Sequence, residues 1–147
     1  ADLLEAGPAA RRLFTPLLHY PERHYRAKLA RVDCVPGSLL LVDVASFLRA
    51  GGYDERVFLY EEEYILGQRL RKTGAKTALL TSAHYVHRHA ASIGKSYRRA
   101  LDRQKLRENA MRFYFRHYLG CKRPALLFAE LYFALIRLEI FLTGGGR

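Results

Sequence analysis

Cysteine is scarce in this 147-residue chain, and the two present, Cys34 and Cys121, exclude a disulfide framework and suit a reduced cytoplasmic compartment. Acidic residues are also scarce, 14 against 25 lysines and arginines, so the net charge is +11 and an anionic partner is called for. The metal-ligand spacing of a zinc finger is missing, as is the aromatic signature of an RNA-recognition fold, which removes the commonest nucleic-acid modules. No internal repeat or low-complexity stretch occurs. The longest apolar run, Leu126–Leu142, is interrupted by Glu130, Arg137 and Glu139, too short and too charged for a membrane span.

What is present is a chain half of whose residues are hydrophobic, enough for a real core. Its most informative stretch is Gly51–Ser96. Glu61, Glu62 and Glu63 open a segment in which Ile65, Leu66 and Leu70 recur at helical spacing, and Arg69, Arg71, Lys72 and Gly74 close it. Acid in front, base behind and a glycine just past the end predict a helix over Glu62–Thr73. The glutamates would suit the helix dipole, but the residues three and four positions on are Tyr64, Ile65, Leu66 and Gly67, so helical spacing supplies no cationic partner. Glu62 shares a face with Ile65 and Leu66. A carboxylate at a helix start beside apolar side chains is a candidate general base.

Downstream, Lys76–Leu80 reads as a short strand and Tyr85–His89 as extended chain. Residues two apart on extended chain point the same way, so His87 and His89 would share a face and could approach one ligand, with Ser92, Gly94 and Ser96 just beyond. Hydrogen-bonded structural histidines and metal-binding histidines both fit this spacing.

Taken together, Gly37-Ser38, Gly51-Gly52-Tyr53-Asp54-Glu55, Phe58-Leu59-Tyr60, Glu62-Glu63 and His87-Arg88-His89-Ala90-Ala91-Ser92 form an ordered set. Over about residues 30–100 this set resembles the C-terminal half of the catalytic domain of family 2 glycosyltransferases, the GT-A fold enzymes that build bacterial surface polysaccharides, including rhamnosyltransferase-like members. The resemblance implies an α/β fold, the acceptor-side half of a GT-A domain. Its mixed sheet is expected to use Val35–Val42, Thr77–Leu80 and a piece near Tyr85–His89, with Asp43–Ala50 a short helix. It implies transfer of a sugar, with inversion, from a nucleotide-sugar donor to a glycan or lipid-linked acceptor. One of Glu62 and Glu63 would take the acceptor proton, the family position favouring the second. Gly37, Ser38, Asp54, Tyr60 and Ser92 would contact substrate, and His87 or His89 would contribute to a divalent metal, magnesium or manganese.

That metal is held in the family chiefly by an Asp-x-Asp element, and the five aspartates here, Asp2, Asp33, Asp43, Asp54 and Asp102, include no such pair. The resemblance therefore implies that the nucleotide-binding half precedes residue 1 and that this segment does not turn over alone.

Residues 1–96 are accordingly read as the acceptor-side part of the catalytic domain and 97–147 as a helical extension. The stretch Arg11–Arg31 is basic, with Pro16 and Pro21 breaking it into short pieces. Ser96–Tyr118 is expected to be a basic amphipathic helix with Tyr97, Leu101, Leu106, Ala110, Phe113 and Tyr114 on its apolar side. It would either pack on the domain or lie on an anionic membrane, and a second helix over Leu126–Leu142 would either bury one face on the domain or lie in the headgroup region; such attachment would make the protein peripheral to the inner face of the cell membrane. The reading from a different class is a non-catalytic basic module for anionic membrane or nucleic acid, supported by the pI near 10.0. The carboxylate cluster argues against it, and no nucleic-acid partner is expected.

Overall fold

A computed structural model of the chain describes residues 19–87, 97 and 99–143. They belong to two compact units, one over Tyr20–Arg88 and the other containing the C-terminal helices. Each is taken by itself.

In the first unit a 3-10 helix, Glu22–Arg26, leads into β1, Leu29–Val32. After it come α1, Val44–Arg49, and α2, Glu62–Lys72, and then β2, Thr77–Leu80. The strands pair antiparallel, Leu29 opposite Leu80 and Val32 opposite Thr77. Thr81 extends the ladder by donating its N–H to the Lys28 carbonyl at 3.0 Å and its hydroxyl to that of Ala27. Among the described residues this two-stranded sheet replaces the expected mixed one. The segment 35–42 is apolar as a strand should be, but no described strand pairs with it, and Leu39 and Leu41 are left exposed. A strand without a ladder has nothing to satisfy its backbone, so Gly37 and Ser38 sit in a turn instead.

Asp43 explains where α1 starts: its carboxylate accepts from the Ser46 N–H at 2.8 Å, and hydrogen bonding from the Ser46 side chain first, then from its N–H, holds the carboxyl below its usual range. The helix ends in Gly51 and Gly52, at φ +80° and +63°, a left-handed pair that side chains resist. Arg69 of α2 then clamps this turn, donating to the Gly51 and Gly52 carbonyls at 2.9 and 3.0 Å and to Asp54 at 3.1 Å. Ile65 and Leu66 bury the inner face of α2. Gly67 permits the close approach: a Cβ there would run into the Asp33 carbonyl oxygen and stand 3.1 Å from the Cys34 Cβ.

The second unit contains α3, Ala100–His117, and α4, Arg123–Leu142, joined by a turn at Gly120, φ +61°. Ala110, Met111, Tyr114 and Phe115 of α3 are buried, as are Ala129, Phe133 and Ile136 of α4. The expected apolar side of α3 is shifted, for Leu101 and Leu106 are only half-buried while Gln104 and Glu108 are buried. Glu108 can be buried because Arg112 and Arg137 both reach its carboxylate. Arg112 also pairs with Glu130 at 2.8 Å and lies over the Phe133 ring, 5.1 Å from its centroid. Among the described residues no helix is long and apolar enough to cross a membrane.

Candidate active site

Two residues in left-handed backbone, Tyr60 at φ +67° and Glu61 at +63°, lead directly into α2. Such conformations cost non-glycine residues of the order of 1 kcal/mol each and gather where a site dictates the chain path. Their effect here is to turn the chain so that α2 begins with Glu62 and Glu63 packed inward rather than fanned into solvent. Glu61 itself is buried.

The acid pair is asymmetric. Glu63 Oε1 accepts the backbone N–H of Gly37 at 2.9 Å, which draws the Gly37-Ser38 turn onto the start of α2. Glu62 is half-buried, and its Oε2 is enclosed with no hydrogen-bond partner. Burial raises the Glu62 pKa above the ordinary carboxylate value; a backbone hydrogen bond offsets part of the rise, and the neighbouring Glu63 charge adds a smaller one. One carboxylate is thus anchored and the other kept poorly solvated and more basic. A carboxylate raised in this way holds a proton more readily than an ordinary one.

Two tyrosines complete the surroundings. Burial raises the Tyr53 phenol pKa, and the charges of Glu63 and Glu62 raise it further, so this hydroxyl stays neutral and able to donate within the field of the pair. Tyr53 also lines an open apolar groove of about 260 Å³ with Leu40, Val42, Val44 and Phe47. The Ser38 and Tyr85 hydroxyls hydrogen-bond each other, and the Tyr85 ring lies 6.4 Å from that of His87. Gly37, Ser38, Glu62 and Glu63 are therefore brought together, with His87 reached through Tyr85.

Asp54 is engaged elsewhere. Its buried carboxylate accepts from Arg56 at 2.7 and 2.8 Å and from Arg69 at 3.1 Å, which ties the Gly51-Gly52 turn to α2. Tyr60 supplies the backbone turn described above. His89 and Ser92 lie outside the described residues. Among the described residues no three histidine, cysteine, aspartate or glutamate side chains converge on one point, so they do not form a metal site by themselves. Neither Tyr53 nor Tyr85 is among the residues for which the sequence suggests a catalytic, substrate or metal role. Tyr53 lies inside the Gly-Gly-Tyr-Asp-Glu motif, which was the available signal, whereas Tyr85 is reached only through Ser38, 47 positions earlier.

No family model and no solved structure matches the chain. It is similar to N-acetylglucosaminyl-diphospho-decaprenol L-rhamnosyltransferase of Mycobacterium tuberculosis, in strains CDC 1551 / Oshkosh and ATCC 25618 / H37Rv. In each the identity is 42% over 64 residues, or 44% of this chain. The matched part is 21% of the relatives' own length, so the chain spans about a fifth of the relatives it matches.

Proposed function

We propose that this segment is the acceptor-side part of a family 2, GT-A fold glycosyltransferase that moves a sugar from a nucleotide-sugar donor to a lipid-linked acceptor. The observation that carries the reading is the asymmetric pair at the start of α2. Glu63 is tied to Gly37, while Glu62 keeps a buried oxygen without a hydrogen-bond partner and a raised pKa. The partial similarity to a transferase whose name gives a diphospho-decaprenol-linked sugar supports the donor and acceptor classes.

In the proposed step the acceptor hydroxyl bonds to the anomeric carbon on the face opposite the departing nucleoside diphosphate. As that bond forms, the hydroxyl proton passes to the Glu62 carboxylate, and the sugar–phosphate bond breaks with its electron pair leaving on the diphosphate, giving inversion. The transition state has oxocarbenium character, so an anionic pair beneath it also stabilises the developing positive charge. Glu63 fixes the turn carrying Ser38, and the Tyr53 hydroxyl is a donor for a sugar oxygen. The family position favours Glu63 as base; the geometry supports Glu62. A divalent cation, magnesium or manganese, would draw most of its ligands from outside the described residues, with His87 and His89 the candidates in this chain.

The test uses the longer enzyme that contains this segment. Glu62→Gln is expected to lower transfer by about two to four powers of ten with donor affinity retained. Wild-type transfer in this variant would overturn the assignment.

A further inference from the structure

Helix α4 has two apolar faces, and α3 covers only one of them. Ala129, Phe133 and Ile136 are buried, yet Leu127, Phe128, Leu131, Leu135, Leu138 and Leu142 are between 52 and 73% exposed. On a helix advancing about 100° per residue, these six fall within about 60° of Leu131, and no charged residue of α4 falls in that arc. Glu130 and Arg137 lie on the other side, where Arg112 and Glu108 of α3 hold them. At roughly 100 Å² for each exposed large side chain, the strip comes to about 600 Å², the upper end of what a free surface leaves to water and a size that is often functional.

The charge beside the strip identifies what covers it. From Asn109 to Ala129 the chain has Arg112, Arg116, Lys122 and Arg123 but no aspartate or glutamate. Arg116, Lys122 and Arg123 are exposed at the turn that leads into α4, so cations stand at one end of the apolar strip. An apolar stripe flanked by exposed cations matches the boundary between acyl chains and anionic headgroups. We infer that α4 lies in the plane of an anionic phospholipid interface, its Leu127–Leu142 strip among the upper acyl chains and Arg116, Lys122 and Arg123 among the phosphates. The helix lies on the bilayer and does not cross it, because its inner charges stay paired with α3 and it is not apolar enough to span. Of the two helices for which a membrane contact is expected, α4 is the one that keeps a free apolar face, since the inner face of α3 packs on α4. The inference does not depend on the transferase reading.

Vesicle sedimentation of the 147-residue chain tests it, with phosphatidylcholine alone and with added phosphatidylglycerol. The parent is expected to bind the anionic vesicles more tightly, and less so as salt rises. Leu131→Glu with Leu138→Glu should weaken binding to both by at least about tenfold. Lys122→Ala with Arg123→Ala should weaken only the anionic case. The chain has no tryptophan, so Leu131→Trp gives a single tryptophan, and its emission, excited beyond the tyrosine absorption band, should shift to the blue when vesicles are added. A parent that stays in the supernatant overturns the inference, as does Leu131→Trp emission that stays unshifted while the protein sediments. A parent that dimerises without binding vesicles, and that Leu131→Glu turns into a monomer, would assign the strip to a second copy instead.

Discussion

The backbone N–H of Gly37 donates to Glu63 Oε1 at 2.9 Å, joining the turn after β1 to the first turn of α2 across 26 positions of sequence. A Cβ at Gly37 would itself stand 2.9 Å from that oxygen, so Gly37→Ala must push the carboxylate aside. The displaced group is the free end of a long side chain, and stability should fall by less than about 1 kcal/mol. A shift of this size at a reacting centre costs far more in rate. Transfer by the longer enzyme should drop roughly ten- to a hundredfold while its melting temperature hardly moves. An unchanged rate would show that the Glu63 position does not matter.

Glu62 should be a burden on stability. Its carboxyl is raised by burial, so the folded state holds the proton more readily than the unfolded one. The favourable contribution is fully present below the unfolded carboxylate value of 4.5 and is lost as pH rises through the raised folded value. Glu62→Gln mimics the protonated form at every pH. Thermal melts should therefore show parent and variant alike in acid, and the variant more stable at neutral pH. Parallel curves across the range would mean that the carboxylate is not desolvated.

Gly67 is a packing requirement with no catalytic part. Its Cα faces the Asp33 backbone, which cannot swing away as a side chain can. Gly67→Ala should destabilise the first unit by about 1 to 3 kcal/mol despite alanine's better helix propensity. Gly74→Ala is the control, since nothing stands near its Cβ and only its φ of +81° resists, costing about 1 kcal/mol. Equal small losses in denaturant midpoints would show that α2 is not held so close to Asp33.

The parts of this fold legible in the sequence are those set by neighbours along the chain. Asp43 before α1, the Gly51-Gly52 turn, and the acid-to-base gradient of α2 are local signals, and α1, α2 and β2 stand within a residue or two of expectation. β1 was hidden because Leu29-Ala30-Arg31-Val32 is a short run inside a basic stretch, and only pairing with Thr77–Leu80 makes it a strand. The segment 35–42 has strand composition but no described partner. In the candidate site, the glutamates at the helix start could be read, and the difference between them could not. That difference comes from the Gly37 amide and from burial, both tertiary. Glu108 illustrates the same limit: a glutamate in mid-helix reads as solvated until Arg137 arrives from another helix.

That ion cluster gives the last prediction. Glu108 is 1% exposed at its side chain, and it is reached by Arg112 at 3.2 Å and, more closely, by Arg137. Removing Arg137 leaves a buried carboxylate with a weaker set of partners, a loss of about 2 kcal/mol or more, short of the full cost of an orphaned buried charge because Arg112 remains. Replacing both groups with apolar side chains removes the desolvation cost together with the attraction. Arg137→Met alone should thus destabilise the helical unit more than Glu108→Met with Arg137→Met, read from urea unfolding by far-ultraviolet circular dichroism. The sign of this coupling is the test. Losses that simply add would mean the two side chains act independently and that α3 and α4 are held together by Met111, Phe133 and Ile136 and by the Arg112–Glu130 pair. Acid should expose the same dependence from the other direction. The Arg112 hydrogen bond holds the Glu130 carboxyl below its usual range, so the stability it contributes is present above the unfolded carboxylate value and is lost as pH falls through the lowered folded one. Glu130→Gln should flatten that acid limb of the helical unfolding curve.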